Sequence, residues 1–137
     1  MSEWVLLLGG STGHGAATAK KLAKDGYGII AFHFDRGEAK KIAAETINEV
    51  NKLTNGRCHY YNTNAASEET IEKYLPEIQK ITEGKSLKLL LHSIAFGTTT
   101  NFFGEKPVTQ RQMDMTIHVM GNSLLYWTQK LLSLIHI

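Results

Sequence analysis

The sequence predicts an α/β fold in which helices cover both faces of a parallel sheet. Three observations carry this reading. Short apolar runs alternate along the chain with stretches whose apolar residues recur at a 3.6-residue period. The first run, Trp4–Leu8, breaks directly into a glycine-rich turn, and a small-residue helical pattern starts straight after it. Each of four such runs leads into a helix, which predicts parallel pairing through right-handed crossovers.

The elements follow in order. Trp4–Leu8 is apolar throughout, as a strand covered on both faces requires. A helix over about 14–24 places Ala16, Ala19, Leu22 and Ala23 on one face, and Asp25-Gly26 ends it. Residues 28–34 form the second strand. Residues 38–53 form a helix with Ala39, Ile42, Ala43, Ile47 and Val50 inward. Asn55-Gly56 turns the chain into a third strand near 57–62. Ser67 is placed to cap the next helix, with Glu68 and Glu69 favouring its dipole. Its buried stripe is Ile71, Tyr74, Leu75, Ile78 and Ile81, and Pro76 is expected to kink or loosen it. The fourth strand is 87–92, followed by a polar loop over 95–107. Thr109-x-x-Gln112 reads as a capping box. The helix it opens carries Met113, Ile117, Met120, Leu124, Trp127 and Leu131 on one face. The expected strand order is 3-2-1-4, with the glycine turn at the switch point between strands one and four. This is a three-layer, Rossmann-type, doubly wound parallel sheet, expected to be truncated after four strands and the following helix.

Composition narrows the function classes. The 137 residues suit one domain, and 42 % apolar with 20 % charged residues is an ordinary globular balance. A net charge of +2 with scattered lysines and arginines gives no sign of a nucleic-acid partner. No apolar stretch approaches the ~20 residues that span a bilayer, and the N-terminus lacks signal-peptide character, so no membrane partner and a cytoplasmic location are expected. Cys58 is the single cysteine, so no internal disulfide forms. His14, His33, His59 and His92 fall on separate elements without ligand spacing, and no metal is expected.

The glycine turn admits three tests. Gly10 and Gly15 have the gap of a Walker A loop, but Ala16 and Ala17 follow where lysine and a hydroxyl residue are needed. Gly-x-Gly-x-x-Gly fails because Thr18 stands at its third glycine. What is present is Gly9-x3-Gly13-x-Gly15. Gly9 suits a tight turn off the strand, the amides around Ser11, Thr12, Gly13 and His14 can approach a pyrophosphate, and Gly15 lets the helix pack closely.

At this point the chain resembles the short-chain dehydrogenase/reductase family, in order along nearly its whole length. His33-Phe34-Asp35-Arg36 stands where that family holds the adenosine ribose. Asn64 and Ala65 follow strand three, where an aspartate and an apolar residue usually flank adenine. His92-Ser93-Ile94-Ala95-Phe96 replaces the usual Asn-Asn-Ala-Gly and is similar to the enoyl-acyl-carrier-protein reductase branch. The glycine turn departs from that branch, which has a looser, serine-containing version. The resemblance implies a nicotinamide dinucleotide held by Gly9, Ser11, Thr12, Gly13, His14, Gly15, Asp35, Arg36, Asn64, Ala65, Ser93, Ile94 and Ala95. Asp35 suits the 2′-hydroxyl of NAD, whereas Arg36, with Thr12 offering a hydroxyl, suits the 2′-phosphate of NADP. Both remain open, and the expectation leans to NADP.

The implied activity is hydride transfer to a small-molecule or acyl-carrier-bound substrate, an enoyl or other acyl thioester. The alternatives are a carbonyl or 3-oxoacyl reductase and a non-catalytic dinucleotide-binding module. The family's proton donor is a tyrosine in Tyr-x3-Lys, or Tyr-x6-Lys in the enoyl branch. Tyr126-x3-Lys130 matches the first spacing but lies on the helix directly after strand four, one helix early, so no catalytic residue is expected in this chain. His118 stands where the family often has a supporting asparagine; an ordinary helix histidine is the simpler reading. Ser93 lacks the Gly-x-Ser-x-Gly elbow of a nucleophile.

The dinucleotide-binding domain is expected over 1–131, without the family's later strands. Residues 132–137, Leu-Ser-Leu-Ile-His-Ile, lose the polar face of the helix and are expected to be a non-native tail. The isolated chain is then expected to be inactive and poorly soluble or molten, with strand four an apolar edge and the last helix keeping an uncovered stripe. The full-length parent is expected to be a homo-oligomer, in the manner of its relatives.

Overall fold

The computed structural model describes residues 3–135. Four strands form one parallel sheet: β1 (Trp4–Leu8), β2 (Gly28–His33), β3 (Cys58–Asn62) and β4 (Leu89–His92). The strand order is β3-β2-β1-β4, as the alternating pattern predicts. Leu6 lies opposite Ile30 and Leu90, and Leu8 opposite Phe32 and His92.

The period-2 alternation of β1 and β2 builds both halves of the core. Val5, Leu7, Ile29 and Ala31 face α1 (Gly13–Lys24) and α2 (Ala39–Leu53), meeting Ala19, Ala23 and Val50. Leu6, Leu8, Ile30 and Phe32 face the opposite layer, meeting Ile71 and Ile78 of α3 (Glu68–Ile81) and Trp127. All eight strand residues are fully buried. Each such leucine, isoleucine or phenylalanine contributes about 2 kcal/mol through apolar burial.

Several local expectations need correction. Ile42 of α2 is exposed, and Thr46 takes the inward place between Ala43 and Val50. Ser67 precedes α3 in an extended conformation, but its side chain makes no capping bond. Helix α3 runs unbroken through Pro76. The fourth strand starts at Leu89 rather than near residue 87.

The largest difference lies in the last helical segment. Thr109 and Gln112 form the capping box, each side chain bonding the other's backbone N–H. They open α4 (Gln110–Ile117), but a π-helical turn over His118–Asn122 then separates it from α5 (Ser123–Ile135). A π turn takes an extra residue and so rotates everything after it relative to the 3.6 period. The inward line becomes Val119, Ser123 and Trp127, with Leu131 partly buried, while Ile117, Met120 and Leu124 are exposed. Helix α5 continues through 132–135; residues 136 and 137 of the expected tail lie outside the described residues. Strand β4 is an edge of the sheet, and Leu89 is exposed there.

Candidate functional site

The site is built where β1 and β2 end side by side. Gly9 N–H and Gly10 N–H both donate to the Phe32 carbonyl, at 2.8 and 3.2 Å, so the chain leaves β1 still tied to β2. Gly9 has φ +93°. A Cβ on it would lie 2.2 Å from the Ser93 carbonyl oxygen, because the end of β4 packs directly on this turn. Ser93 N–H extends the β1–β4 pairing by donating to the Leu8 carbonyl at 2.7 Å.

Thr12, in extended conformation, precedes α1. The Ala16 N–H to Thr12 carbonyl bond, at 3.1 Å, closes the first helical turn. The amides of Gly13, His14 and Gly15 precede it and are left for another acceptor, the usual basis of anion binding at a helix start. Gly13 has φ +55° and open space around it. Gly15 is the reverse case: a Cβ there would sit 1.6 Å from the Gly9 carbonyl oxygen. The sequence expectation for both ends of the turn thus acquires a steric cause.

A groove of about 500 Å³ runs across this turn. All the residues expected at the site line it except Gly15, which lies beneath, and Arg36. The Arg36 guanidinium stacks over the Phe34 ring, 4.8 Å from its centroid, and the residue is exposed at the rim. Asp35 does face the groove, and its carboxylate is held. Ser11 Oγ donates to Asp35 Oδ2 at 2.6 Å, and His33 Nδ1 bonds the same oxygen at 2.7 Å. The hydroxyl of Ser11 is therefore committed to Asp35. The Asp35 backbone is bracketed by Asn62 of β3, whose amide accepts from Asp35 N–H at 3.0 Å and donates to its carbonyl at 3.1 Å.

The wall at Asn64 and Ala65 is fixed twice. Asn64 Oδ1 accepts from Ala66 N–H at 3.0 Å, and the buried indole of Trp127 donates from Nε1 to the Ala65 carbonyl at 2.8 Å. At the other end, Ser93, Ile94 and Ala95 leave β4. There His92 Nε2 lies 2.8 Å from Ser123 Oγ, whose own hydrogen goes to the Val119 carbonyl at 2.7 Å. His92 Nε2–H is then the donor. Burial holds the His92 pKa below its ordinary value of 6.5.

Sequence reasoning missed several lining residues. Phe32, Thr63, Phe96, Met115 and Val119 also face the groove. His118, the first residue of the π turn, lines it too. The bond between His33 and Asp35 was legible in principle, since residues i and i+2 leave an extended strand on one side. Tyr126 does not line the groove and is 37 % exposed. Among the described residues no three histidine, cysteine or carboxylate side chains cluster as metal ligands, and no helix is long and apolar enough to cross a membrane.

A glycine turn at the switch point of a parallel sheet, with an acid ending the neighbouring strand, is the architecture of the nucleotide-binding α/β proteins. The chain matches the short chain dehydrogenase family over residues 3–136, and it belongs to that family. No curated protein matches it. Among solved structures, it resembles a 3-oxoacyl-[acyl-carrier protein] reductase from Brucella melitensis in complex with NAD. The TM-score is 0.78 at 18 % identity, covering 99 % of this chain and 50 % of that one. It also resembles L-sorbose reductase from Gluconobacter frateurii complexed with NADPH and L-sorbose, with TM-score 0.80, 13 % identity, and coverage of 97 % and 47 %. A third is YwfH, an NADPH dependent reductase involved in bacilysin biosynthesis, with TM-score 0.80, 16 % identity, and coverage of 98 % and 50 %. At these identities the likeness is one of fold. The chain spans about half the length of the structures it matches.

Proposed function

We propose that this chain is the dinucleotide-binding half of an NAD(P)H-dependent reductase acting on an enoyl or other acyl thioester. The observation that carries the dinucleotide reading is the glycine cradle. Gly9 and Gly13 adopt positive φ, Gly15 presses on the Gly9 carbonyl, and the amides that start α1 stand beside a groove walled by Asp35. A side chain at Gly9 or Gly15 would collide with the backbone of Ser93 or Gly9 and force the cradle apart.

A bound nicotinamide supplies the hydride. This chain's residues bind and orient. The amides at the start of α1 receive the pyrophosphate charge. Asp35 accepts hydrogen bonds from the adenosine ribose, and Asn64 with Ala65 walls the adenine. Ser93, Ile94 and Ala95 border the nicotinamide, and Phe96, Met115 and His118 also line the groove. The thioester assignment rests on His92-Ser93-Ile94-Ala95-Phe96 at the end of β4. Tyr126, in the Tyr-x3-Lys spacing, lies away from the groove and is not assigned as the proton donor. The exposed apolar face of Met120, Leu124 and Leu125 supports assembly of the parent into an oligomer.

The test has two stages. Titration with NADH and NADPH should quench or shift cofactor fluorescence, with ADP-ribose competing; no binding of either refutes the dinucleotide reading. A longer protein containing this segment should then oxidise its cofactor when given a crotonyl thioester. Turnover confined to 3-oxoacyl thioesters would replace the enoyl assignment.

A further inference from the structure

We propose that His33 is a positioning residue that acts through Asp35 to select NAD(H) over NADP(H); this rests on the dinucleotide reading above. His33 ends β2 and is buried, 9 % exposed, in an otherwise apolar strand. A histidine in such a place needs a polar partner. Its partner is the carboxylate two residues on: Nδ1 lies 2.7 Å from Asp35 Oδ2. A carboxylate accepts and does not donate, so the proton sits on His33 Nδ1. Tyr60 of β3 meets the imidazole in an edge arrangement, 6.1 Å between centroids, which fixes the ring from the side.

The same Oδ2 also accepts from Ser11 Oγ, and Asn62 holds the Asp35 backbone on both sides. Three segments thus hold Asp35: the end of β2 and the glycine turn through its carboxylate, the end of β3 through its backbone. Two donors share Oδ2. Among the described residues Oδ1 receives no hydrogen bond, and Asp35 faces the groove. A fixed, ionised acceptor suits a ribose hydroxyl, which donates. A 2′-phosphate is itself an anion with only acceptors to offer, and it meets like charge there. The neighbouring cation, Arg36, is engaged with the Phe34 ring at the rim. Asp35 supplies the contact, and His33 keeps its free oxygen aimed.

The experiment compares the full chain with His33→Ala and His33→Asn, titrating each with NADH and NADPH and checking fold by circular dichroism. The starting protein should bind NADH at least tenfold tighter than NADPH, on the order expected for a hydrogen bond to a charged group. His33→Ala should reduce that ratio about tenfold, chiefly by weakening NADH. His33→Asn, whose Nδ2–H stands near the lost Nδ1–H, should restore most of it. Ser11→Ala removes the other donor to Oδ2 and should move the ratio in the same direction, which keeps the test open if His33→Ala fails to fold. A preference for NADPH in the starting protein overturns the proposal. So does an unchanged ratio in His33→Ala and Ser11→Ala, or equal loss of both cofactors that His33→Asn fails to restore. Binding of neither dinucleotide by the starting protein removes the dinucleotide reading itself, a result distinct from all of these.

Discussion

Gly15→Ala tests the close approach at the glycine turn. The added Cβ would lie 1.6 Å from the Gly9 carbonyl oxygen and 2.8 Å from its carbon, both backbone atoms. Folded proteins do not place a Cβ closer than 3.0 Å to another atom, so α1 must withdraw from the turn by about 1.4 Å or more. That withdrawal disturbs Ala16, Ala19 and Ala23, which pack against the sheet. We expect a loss of about 3 kcal/mol, the upper part of the range for overpacking. In a chain of this size that corresponds to a melting temperature about 10 °C lower. Gly13→Ala is the control. Its φ of +55° strains an alanine, but the space around it is open, so the cost is about 1 kcal/mol. Thermal and urea unfolding followed by circular dichroism measure both. If Gly15→Ala is as stable as the parent, or no worse than Gly13→Ala, the steric argument fails.

Three further outcomes follow from geometry already described. Trp127→Phe removes the donor to the buried Ala65 carbonyl and should cost about 2 kcal/mol in urea unfolding, with weaker dinucleotide binding as the Asn64–Ala65 wall loosens. Burial depresses the folded-state pKa of His92 below 6.5, so the unfolded chain takes up its proton first. Stability is therefore full above the unfolded-state value of 6.5 and falls as pH drops from there through the lower folded-state value; melting temperatures between pH 5 and 8 should show this slope, reduced in His92→Asn. Thr109→Ala breaks the capping box and should cost about 1 kcal/mol, whereas Thr109→Ser should leave most of it, by the same unfolding assay.

The sheet was legible because its signals are local and strong. Trp4–Leu8 and residues 28–33 are apolar at every position that faces a helix layer, and the glycines between them mark the switch point. The turn was legible for the same reason, and it assembles nearly all the residues expected around the groove. The last helical segment was not. Its periodicity assumes 3.6 residues per turn throughout, and one π turn at His118–Asn122 takes Met120 and Leu124 outward and brings in Val119 and Ser123. Arg36 shows a different limit. Its place after Asp35 suggested a groove residue, but whether a long cation turns inward or stacks on an adjacent aromatic ring is decided by packing, and here Phe34 takes it. His33 has no histidine or cysteine at ligand spacing; its partner is the carboxylate two residues on, a pairing that depends on how the chain leaves β2.

The packing of Ser93 on Gly9, and of Gly15 on the Gly9 carbonyl, bears on the order of assembly. Nothing near the turn in sequence can shape it alone, because one of its two supports comes from the end of β4, far along the chain. A nascent chain that has made only β1, α1 and β2 lacks that support, and loop closure of such span is slow relative to local helix formation. We expect the turn to mature last, so that in pulse-labelling experiments the amide of Ser93, which bonds the Leu8 carbonyl, gains protection after those of α1 and α2.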